Sequence, residues 1–321
     1  MSTPHVVLHM EAPDAALSLV KSRCPDVTVS ACDTYDGLPQ HISETRAEVV
    51  YSVRFAGTPG FPRATLVESD TVRWVSVGGS GTDHLATWDP ARVTVTNAAG
   101  VAADMMAEYT LGALLYFSLD LPGFRGAQAD RNWIAGKVRP LEGQTLLILG
   151  VGQTGQAIAR RAKAMGLTIL GVRARPTSTP DVDEVYPVDT LDEIIPRADA
   201  VAVCVPLLEH TRGLLNADRI GLMKPGAVLV DVSRGGVVDQ TALAGALAAQ
   251  RLRGAALDVF EAEPLPEDSP FWDMDNVIVT PHCSSVYDGW ELKSVEMFCN
   301  NLVRFLAGDA LKNVVDPQRG Y

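Results

Sequence analysis

The stretch Thr145–Arg161, TLLILGVGQTGQAIARR, decides the fold of the chain around it. An apolar run typical of a buried β-strand leads directly into Gly150-x-Gly152-x-x-Gly155, and an amphipathic helical pattern follows. In this context Gly150 permits a tight turn, Gly152 lets a phosphate approach the backbone, and Gly155 lets the helix pack closely on the strand. The pattern predicts a pyrophosphate-binding loop at the start of a helix, because the free N–H groups there attract anions.

Similar strand and helix patterns alternate on both sides of this loop. The apolar runs that predict strands are His5–Met10, Val27–Ala31, Glu48–Val53, Val72–Val77, Val93–Thr96, Thr145–Leu149, Thr168–Val172, Ala200–Val205, Ala227–Val232, Ala255–Val259 and Val277–Thr280. The later runs are almost continuous Val, Ile and Leu, as in parallel strands that are buried on both faces. The alternation therefore predicts an α/β fold with doubly wound parallel sheets.

The length of 321 residues favours two domains over one. The longest helical pattern, Ala102–Leu119, separates two series of strand–helix units and is a candidate hinge between them. Thr190-Leu-Asp-Glu193 has the spacing of a capping box and predicts a helix start.

Composition restricts the kinds of function. The net charge of −12 disfavours nucleic-acid binding, so an anionic ligand needs a local basic site. Five cysteines without a CxxC pair argue against a disulfide framework and against a zinc site, so no metal is predicted. The N-terminus lacks a signal-peptide pattern, and the apolar stretch Thr110–Leu119 is too short to span a bilayer. We therefore expect a cytoplasmic protein without a membrane partner.

The residues after the predicted strand Thr168–Val172 bear on the choice of dinucleotide. Proteins that bind NAD usually carry an acidic residue about 20 residues beyond the glycine loop, where it binds the ribose hydroxyls. Here there is no acidic residue from Gln156 to Pro180, and Arg173 and Arg175 occupy the end of the strand. Two guanidinium groups favour a 2′-phosphate, so we predict NADP(H) as the preferred cofactor and NAD(H) as the alternative.

Three chemically active residues follow three consecutive predicted strands. Arg234 follows Ala227–Val232, Glu263 follows the next strand, and His282 follows the last one. Ligands of open parallel sheets bind at this edge. An arginine can polarise a carbonyl and pair with a carboxylate, and a histidine oriented by a carboxylate can donate a proton. Each residue alone also fits an ordinary loop role, but the three together favour a catalytic site.

Several longer runs resemble the D-isomer-specific 2-hydroxyacid dehydrogenase family over essentially the whole chain. They are Asn97–Leu115 (NAAGVAADMMAEYTLGALL), the glycine loop, Val230–Leu247 (VDVSRGGVVDQTALAGAL), Gly254–Pro266 (GAALDVFEAEPLP) and Val279–His282 (VTPH). The resemblance implies a catalytic triad of Arg234, Glu263 and His282, whereas Glu261 does not occupy the catalytic place in the motif. It also implies two Rossmann-like domains, with a dinucleotide-binding domain at residues 99–284 inserted into a flavodoxin-like substrate domain made of residues 1–98 and 285–321.

The resemblance and the strand-end positions together assign binding residues. The substrate carboxylate is assigned to the backbone of Gly79, Ser80 and Gly81, with Arg54 as a second anion contact. The candidate cofactor-binding residues are Gly150, Gly152, Gln153, Thr154, Gly155, Arg173, Arg175, Val205, Pro206, Val232, Ser233, Asp258 and Ser284, of which Asp258 would bind the nicotinamide amide. Family members are usually homodimers that exchange the segment Leu121–Pro140.

The expected activity is reduction of a small 2-keto acid, such as glyoxylate or hydroxypyruvate, to the D-2-hydroxy acid. One alternative is a nucleotide-sensing scaffold resembling the C-terminal-binding-protein corepressors, which share the fold and similar triads. Another is a formate or phosphite dehydrogenase of the same superfamily, although formate dehydrogenases have Gln in the place of Glu263. Turnover of keto acids distinguishes an enzyme from a scaffold.

Overall fold

A computed structural model describes residues 3–54, 59–136 and 138–317. The strands are β1 (His5–His9), β2 (Thr28–Cys32), β3 (Val49–Ser52), β4 (Trp74–Val77), β5 (Thr94–Thr96), β6 (Thr145–Leu149), β7 (Thr168–Val172), β8 (Glu184–Tyr186), β9 (Ala200–Val203), β10 (Val228–Asp231), β11 (Gly254–Leu257) and β12 (Val277–Val279). The α-helices are α1 (Asp14–Arg23), α2 (Leu38–Thr45), α3 (Arg63–Val67), α4 (Ala103–Ser118), α5 (Leu121–Ala129), α6 (Gln153–Ala164), α7 (Leu191–Ile194), α8 (Ala217–Leu222), α9 (Gln240–Ala248) and α10 (Trp290–Ala307). No helix within the described ranges combines the length and apolarity needed to cross a membrane.

The chain divides into two compact units, and the second is inserted into the first. The first unit comprises Met1–Val101 and Tyr287–Tyr321, and the second is Ala102–Val286. The sheet of the first unit has the order β2-β1-β3-β4-β5, with all neighbouring strands parallel. This is the flavodoxin-like order.

The second unit contains a seven-stranded parallel sheet in the order β12-β11-β10-β9-β6-β7-β8. The order reverses at β6, with β7 on one side of it and β9 on the other. This is the arrangement of a Rossmann fold, in which the ligand lies beyond the carboxyl end of the strands at the reversal. The predicted doubly wound α/β fold is therefore confirmed for both units.

Strand alternation explains why each sheet is buried on both faces. In β6, Leu147 and Leu149 belong to one apolar cluster, while Leu146 and Ile148 belong to the cluster on the other face. Successive side chains of a strand point to opposite faces, so an all-apolar strand requires helices on both sides. In the first unit, α10 supplies part of the core, because Val295, Phe298, Cys299 and Leu302 pack with Trp74.

Two local features differ from the sequence-based expectations. The edge strand β8 was not predicted, because Glu184 is exposed and Val185 and Tyr186 are only half-buried. The predicted capping box is wrong in its hydrogen bonding. Thr190 is the N-cap residue of α7 but makes no side-chain cap bond, since its hydroxyl donates to the carbonyl of Pro187.

Candidate active site

The glycine loop has the backbone geometry that a dinucleotide pyrophosphate requires. Gly150 has a φ of +95°, which favours glycine, and a Cβ atom on Gly155 would lie 2.1 Å from the carbonyl oxygen of Gly150. A Cβ atom on Gly152 would meet nothing within 4 Å, so the space beside this residue is open. Helix α6 starts directly after Gly152 and has no acidic side chain in its first turn to offset its positive end. These residues fit a bound pyrophosphate.

The two arginines predicted to bind the 2′-phosphate lie at the end of β7, the strand next to β6. Arg173 directly follows β7 and is half-buried, and its guanidinium donates to the hydroxyl of Thr177 at 3.2 Å. Arg175 is exposed. The contact with Thr177 holds one guanidinium close to the carboxyl end of the sheet, where a ribose phosphate would be recognised.

The Arg234 loop follows β10 and is fixed by a buried carboxylate. One oxygen of Asp231 accepts hydrogen bonds from the backbone N–H and the hydroxyl of Ser233, at 3.0 and 2.5 Å. Arg234 donates to the carbonyl of Ser233 at 2.8 Å. Asp231 is 1% exposed, and its second oxygen has no hydrogen-bond partner among the described residues. Burial raises the pKa of Asp231 to about 7.

The glycine after Arg234 brings two segments of the site into contact. A Cβ atom on Gly235 would lie 1.9 Å from the carbonyl oxygen of Phe260 and 2.7 Å from the backbone nitrogen of Glu261. Only a residue without a side chain allows the loop after β10 to lie against the segment after β11. The adjacent segment carries Glu263, so this contact places the carboxylate-bearing turn beside the Arg234 loop.

Glu263 and His282 form a hydrogen-bonded pair at the ends of neighbouring strands. The Nδ1 atom of His282 lies 2.9 Å from one carboxylate oxygen of Glu263. The other oxygen accepts the backbone N–H of Phe260 at 3.0 Å. Both side chains remain partly exposed, at 36% for His282 and 39% for Glu263. Glu263 thus holds Nδ1 and leaves Nε2 as the ring nitrogen available to a substrate. Glu261, the competing acid, is exposed.

The turn that carries His282 is organised by Asp258, which is 1% exposed. One carboxylate oxygen of Asp258 accepts the hydroxyl of Thr280 at 2.6 Å and the N–H of Cys283 at 2.8 Å. The other oxygen accepts the N–H of Ser284 at 3.0 Å. The carbonyl of Asp258 also accepts the N–H of His282 at 2.8 Å. Sequence analysis associated Asp258 with the nicotinamide, but most of its hydrogen-bonding capacity serves this turn.

The predicted substrate loop lies in the first unit, directly after β4. The carbonyls of Gly78, Gly79 and Ser80 accept hydrogen bonds from Ser294 Oγ at 2.8 Å, Ala98 N at 2.9 Å and Asn97 Nδ2 at 2.7 Å. A trans peptide directs its N–H opposite to its carbonyl. The N–H groups of the three residues that follow these carbonyls therefore face away from the anchoring groups, as an anion-binding nest requires.

The other predicted ligand-binding residues lie at the carboxyl ends of their strands. Arg54 is exposed two residues beyond β3, and Val205 and Pro206 follow β9. Val232, Ser233 and Ser284 are buried.

Sequence reasoning missed Asp231, Thr280 and Tyr109. The hydroxyl of Tyr109 lies 2.9 Å from that of Thr280. The position of Asp231 at the end of a buried strand was the available signal.

Comparison with known proteins agrees with this geometry. Residues 111–284 match the family model described as D-isomer specific 2-hydroxyacid dehydrogenase, NAD binding domain. The glyoxylate reductase of Thermofilum pendens is 30% identical over an alignment of 343 positions including gaps, covering 99% of this chain and 96% of that protein. The D-3-phosphoglycerate dehydrogenase of Methanocaldococcus jannaschii is 31% identical over 259 residues, covering 79% of this chain, which spans only 49% of that longer protein.

A solved structure extends the likeness to the whole fold. The D-isomer specific 2-hydroxyacid dehydrogenase of Xanthobacter autotrophicus Py2, crystallised with NADPH and MES, has a TM-score of 0.86 and is 30% identical, covering 99% of this chain and 100% of that one. Fold and site together define an oxidoreductase that uses a nicotinamide dinucleotide. The chain belongs to the D-isomer specific 2-hydroxyacid dehydrogenase family, as its motifs predicted.

Proposed function

We propose that this protein reduces a small 2-keto acid, of the size of glyoxylate or hydroxypyruvate, to the D-2-hydroxy acid. The observation that carries the proposal is the pair formed by His282 Nδ1 and Glu263, whose second oxygen is held by a backbone N–H. A histidine fixed in this way is suited to proton donation from Nε2. The relative from Thermofilum pendens, named as a glyoxylate reductase, supports the choice of substrate class.

Each residue of the proposed triad has a defined role. A nicotinamide dinucleotide held by the glycine loop would supply the hydride for the carbonyl carbon. The guanidinium of Arg234 polarises the carbonyl oxygen, on which negative charge develops. It also pairs with the substrate carboxylate, which is already negatively charged. His282 protonates that oxygen from Nε2. Glu263 stabilises the protonated imidazole and, by binding Nδ1, keeps the ring in one orientation.

The substrate carboxylate is assigned to the N–H groups of Gly79, Ser80 and Gly81. The carbonyl group of the same peptide as each N–H accepts a hydrogen bond from another part of this unit, which fixes the direction of the N–H. Gly79 and Ser80 are exposed to solvent. Such a backbone nest binds a carboxylate without a side-chain charge. Arg54 is proposed as a further anion contact, because it lies exposed beyond the neighbouring strand β3.

We propose NADPH as the preferred cofactor, with NADH as a weaker substitute. The proposal rests on Arg173, which replaces the usual acid, and on its contact with Thr177. A carboxylate at this position would repel a 2′-phosphate, whereas a guanidinium attracts it. The structure from Xanthobacter autotrophicus Py2, solved with NADPH, is consistent with this choice.

We also propose a homodimer assembled through the second unit. Helix α5 has no buried residue, and the segment around it exposes Leu121, Trp133, Ile134 and Val138, with Trp133 101% exposed. Exposed large apolar side chains concentrated in one segment are typical of a protein–protein interface. Its position within residues 121–140 coincides with the segment that the family resemblance assigns to subunit exchange.

The test of the proposed activity is a kinetic screen with both cofactors and a panel of 2-keto acids. We expect oxidation of NADPH with glyoxylate or hydroxypyruvate and formation of the D-enantiomer of the product where the product is chiral. Saturable nucleotide binding without turnover of any keto acid would contradict the proposal and favour the nucleotide-sensing scaffold.

A further inference from the structure

The catalytic histidine lies on a turn whose backbone needs external support. His282 has a φ of +51°, in the left-handed region that residues with a Cβ atom rarely adopt. Its N–H is held by the carbonyls of Asp258, at 2.8 Å, and Thr280, at 3.0 Å. The next two N–H groups bind the Asp258 carboxylate. The imidazole can reach Glu263 only while the turn keeps this conformation.

The carboxylate that holds the turn is itself held by a chain of two hydroxyl groups. Thr280 donates its only hydroxyl proton to Asp258 at 2.6 Å, so the hydroxyl of Tyr109 must donate to Thr280, at 2.9 Å. Tyr109 lies on α4, the long first helix of this unit. Burial raises the pKa of Tyr109 to about 12, which keeps its hydroxyl protonated as a donor. The chain thus connects α4 to the histidine turn.

We propose that Tyr109 and Thr280 are positioning residues for His282, acting through the carboxylate of Asp258. Without the Thr280 hydroxyl, this carboxylate loses the short hydrogen bond that orients it towards the turn. The N–H groups of Cys283 and Ser284 then lose a fixed acceptor, and the turn can relax away from its left-handed conformation. The assignment of His282 as the proton donor, on which this inference rests, comes from the proposed function.

The test uses Thr280→Val, which removes the hydroxyl at nearly constant volume, measured on the enzyme saturated with NADPH. We expect kcat to fall by about tenfold or more, as when a catalytic group is misplaced. KM for the keto acid should stay within about twofold, because the substrate is assigned to Arg234 and the loop after β4 and not to Thr280. Thr280→Ser should restore kcat, since it restores the hydroxyl. Tyr109→Phe should have a smaller effect in the same direction.

Thr110→Val is the matched control. Thr110 is fully buried on the same helix, and its hydroxyl donates within α4 to the carbonyl of Met106 at 2.8 Å. The substitution removes an equivalent hydroxyl that does not contact the turn, so kcat should remain close to that of the wild type. A similar fall of kcat in both valine variants would overturn the inference.

Amide hydrogen exchange provides a readout independent of turnover. Exchange at Cys283 and Ser284 should become faster in Thr280→Val and stay unchanged in Thr110→Val, because only the first variant releases the acceptor of these N–H groups. Unchanged exchange together with full kcat, or a loss confined to NADPH affinity, would show that the chain does not position His282. If the wild-type protein reduces no keto acid, the proposed function fails, while the exchange comparison still decides whether the hydroxyl chain holds the turn.

Discussion

At the scale of single residues, Glu263 and Glu261 provide an internal comparison. The two acids are two positions apart, but only Glu263 binds both His282 and the backbone of Phe260. We expect Glu263→Gln to lower kcat substantially, because an amide cannot stabilise the protonated imidazole as a carboxylate does. His282→Ala should lower kcat by about a hundredfold. Steady-state kinetics with glyoxylate would measure both effects.

Glu261→Gln is the control for this pair of substitutions, since Glu261 is exposed and its N–H, rather than its carboxylate, is bound by Gln240. Its kcat should be close to that of the wild type. If Glu261→Gln and Glu263→Gln lower kcat equally, the assignment of the catalytic role to Glu263 rather than Glu261 is wrong.

Asp231 gives a prediction about stability and pH. Burial raises its folded-state pKa to about 7 from an ordinary value of 3.8, so folding favours the protonated form. The stabilising contribution of Asp231 is complete below pH 4 and is lost as the pH rises towards 7. Asp231→Asn keeps an acceptor for Ser233 and removes the titration. The variant should therefore gain stability relative to the wild type between pH 4 and 7, on the order of a few kcal/mol.

Chemical denaturation at a series of pH values would measure this difference. It should grow with pH across that interval and then level off above about pH 7. A difference that stays constant from pH 4 to 8 would contradict the shifted ionisation of Asp231.

The residues proposed to do the chemistry could be predicted, whereas the hydroxyl groups that hold the His282 turn could not. Arg234, Glu263 and His282 could be found because each follows an apolar strand, and parallel strands end at one edge. Thr280 and Tyr109 are far apart in the sequence, and their contact depends on how α4 packs against the sheet. Hydroxyl partners of this kind have no spacing rule, so a single sequence does not reveal them.

At the scale of secondary-structure elements, the end of β7 is expected to control cofactor choice. Arg173→Asp replaces an attractive guanidinium with a repulsive carboxylate beside the proposed 2′-phosphate site. We expect the ratio of kcat/KM for NADPH to that for NADH to fall by about tenfold or more, as the loss of a hydrogen bond between charged groups implies. Kinetics with both cofactors would measure the ratio, and Arg175→Ala should change it less, because Arg175 is the more exposed of the two. If the ratio is unaltered in Arg173→Asp, the end of β7 does not determine the choice between NADPH and NADH.

The loop after β4 gives a second prediction at this scale. Asn97 holds the carbonyl of Ser80 and so orients the following N–H towards the proposed carboxylate site. Asn97→Ala should raise KM for the keto acid by about tenfold and change kcat less, since it loosens ground-state binding. Asn301→Ala, which removes a comparable buried amide bound to Lys312, is the control. If KM rises equally in both variants, the effect reflects general destabilisation.

The accuracy of strand prediction varied with burial. Strands such as β6 and β9 are apolar throughout and could be located to within a residue or two from their composition. The partly exposed β8 could not, because its position at the sheet edge removes the requirement for apolar side chains on both faces. Thr190 shows a similar limit for helix ends. Its hydroxyl donates to the carbonyl of Pro187 instead of accepting a backbone N–H of α7, and the sequence pattern does not reveal this choice.

At the scale of the whole molecule, the exposed apolar segment around α5 predicts self-association. Trp133→Asp combined with Leu121→Asp should convert a dimer to a monomer at micromolar concentration, because charges in an apolar interface remain desolvated and unpaired. Light scattering after size exclusion would measure the mass. Val303→Asp combined with Leu306→Asp places the same two charges on exposed sites of α10 and should leave the mass unchanged. A wild-type protein that is already monomeric would refute the proposed dimer.

The insertion of one unit into the other also bears on how the chain folds as it is synthesised. The second unit is built from one uninterrupted segment, so all of its strands are synthesised before α10. The first unit is different, because its core includes Phe298 and Leu302 of α10, packed against Trp74. The nascent N-terminal sheet must therefore wait, with one apolar face covered only in part by α1, until α10 has been translated. Apolar surface that stays exposed during synthesis favours aggregation, so we expect the N-terminal segment to be vulnerable until α10 packs on it.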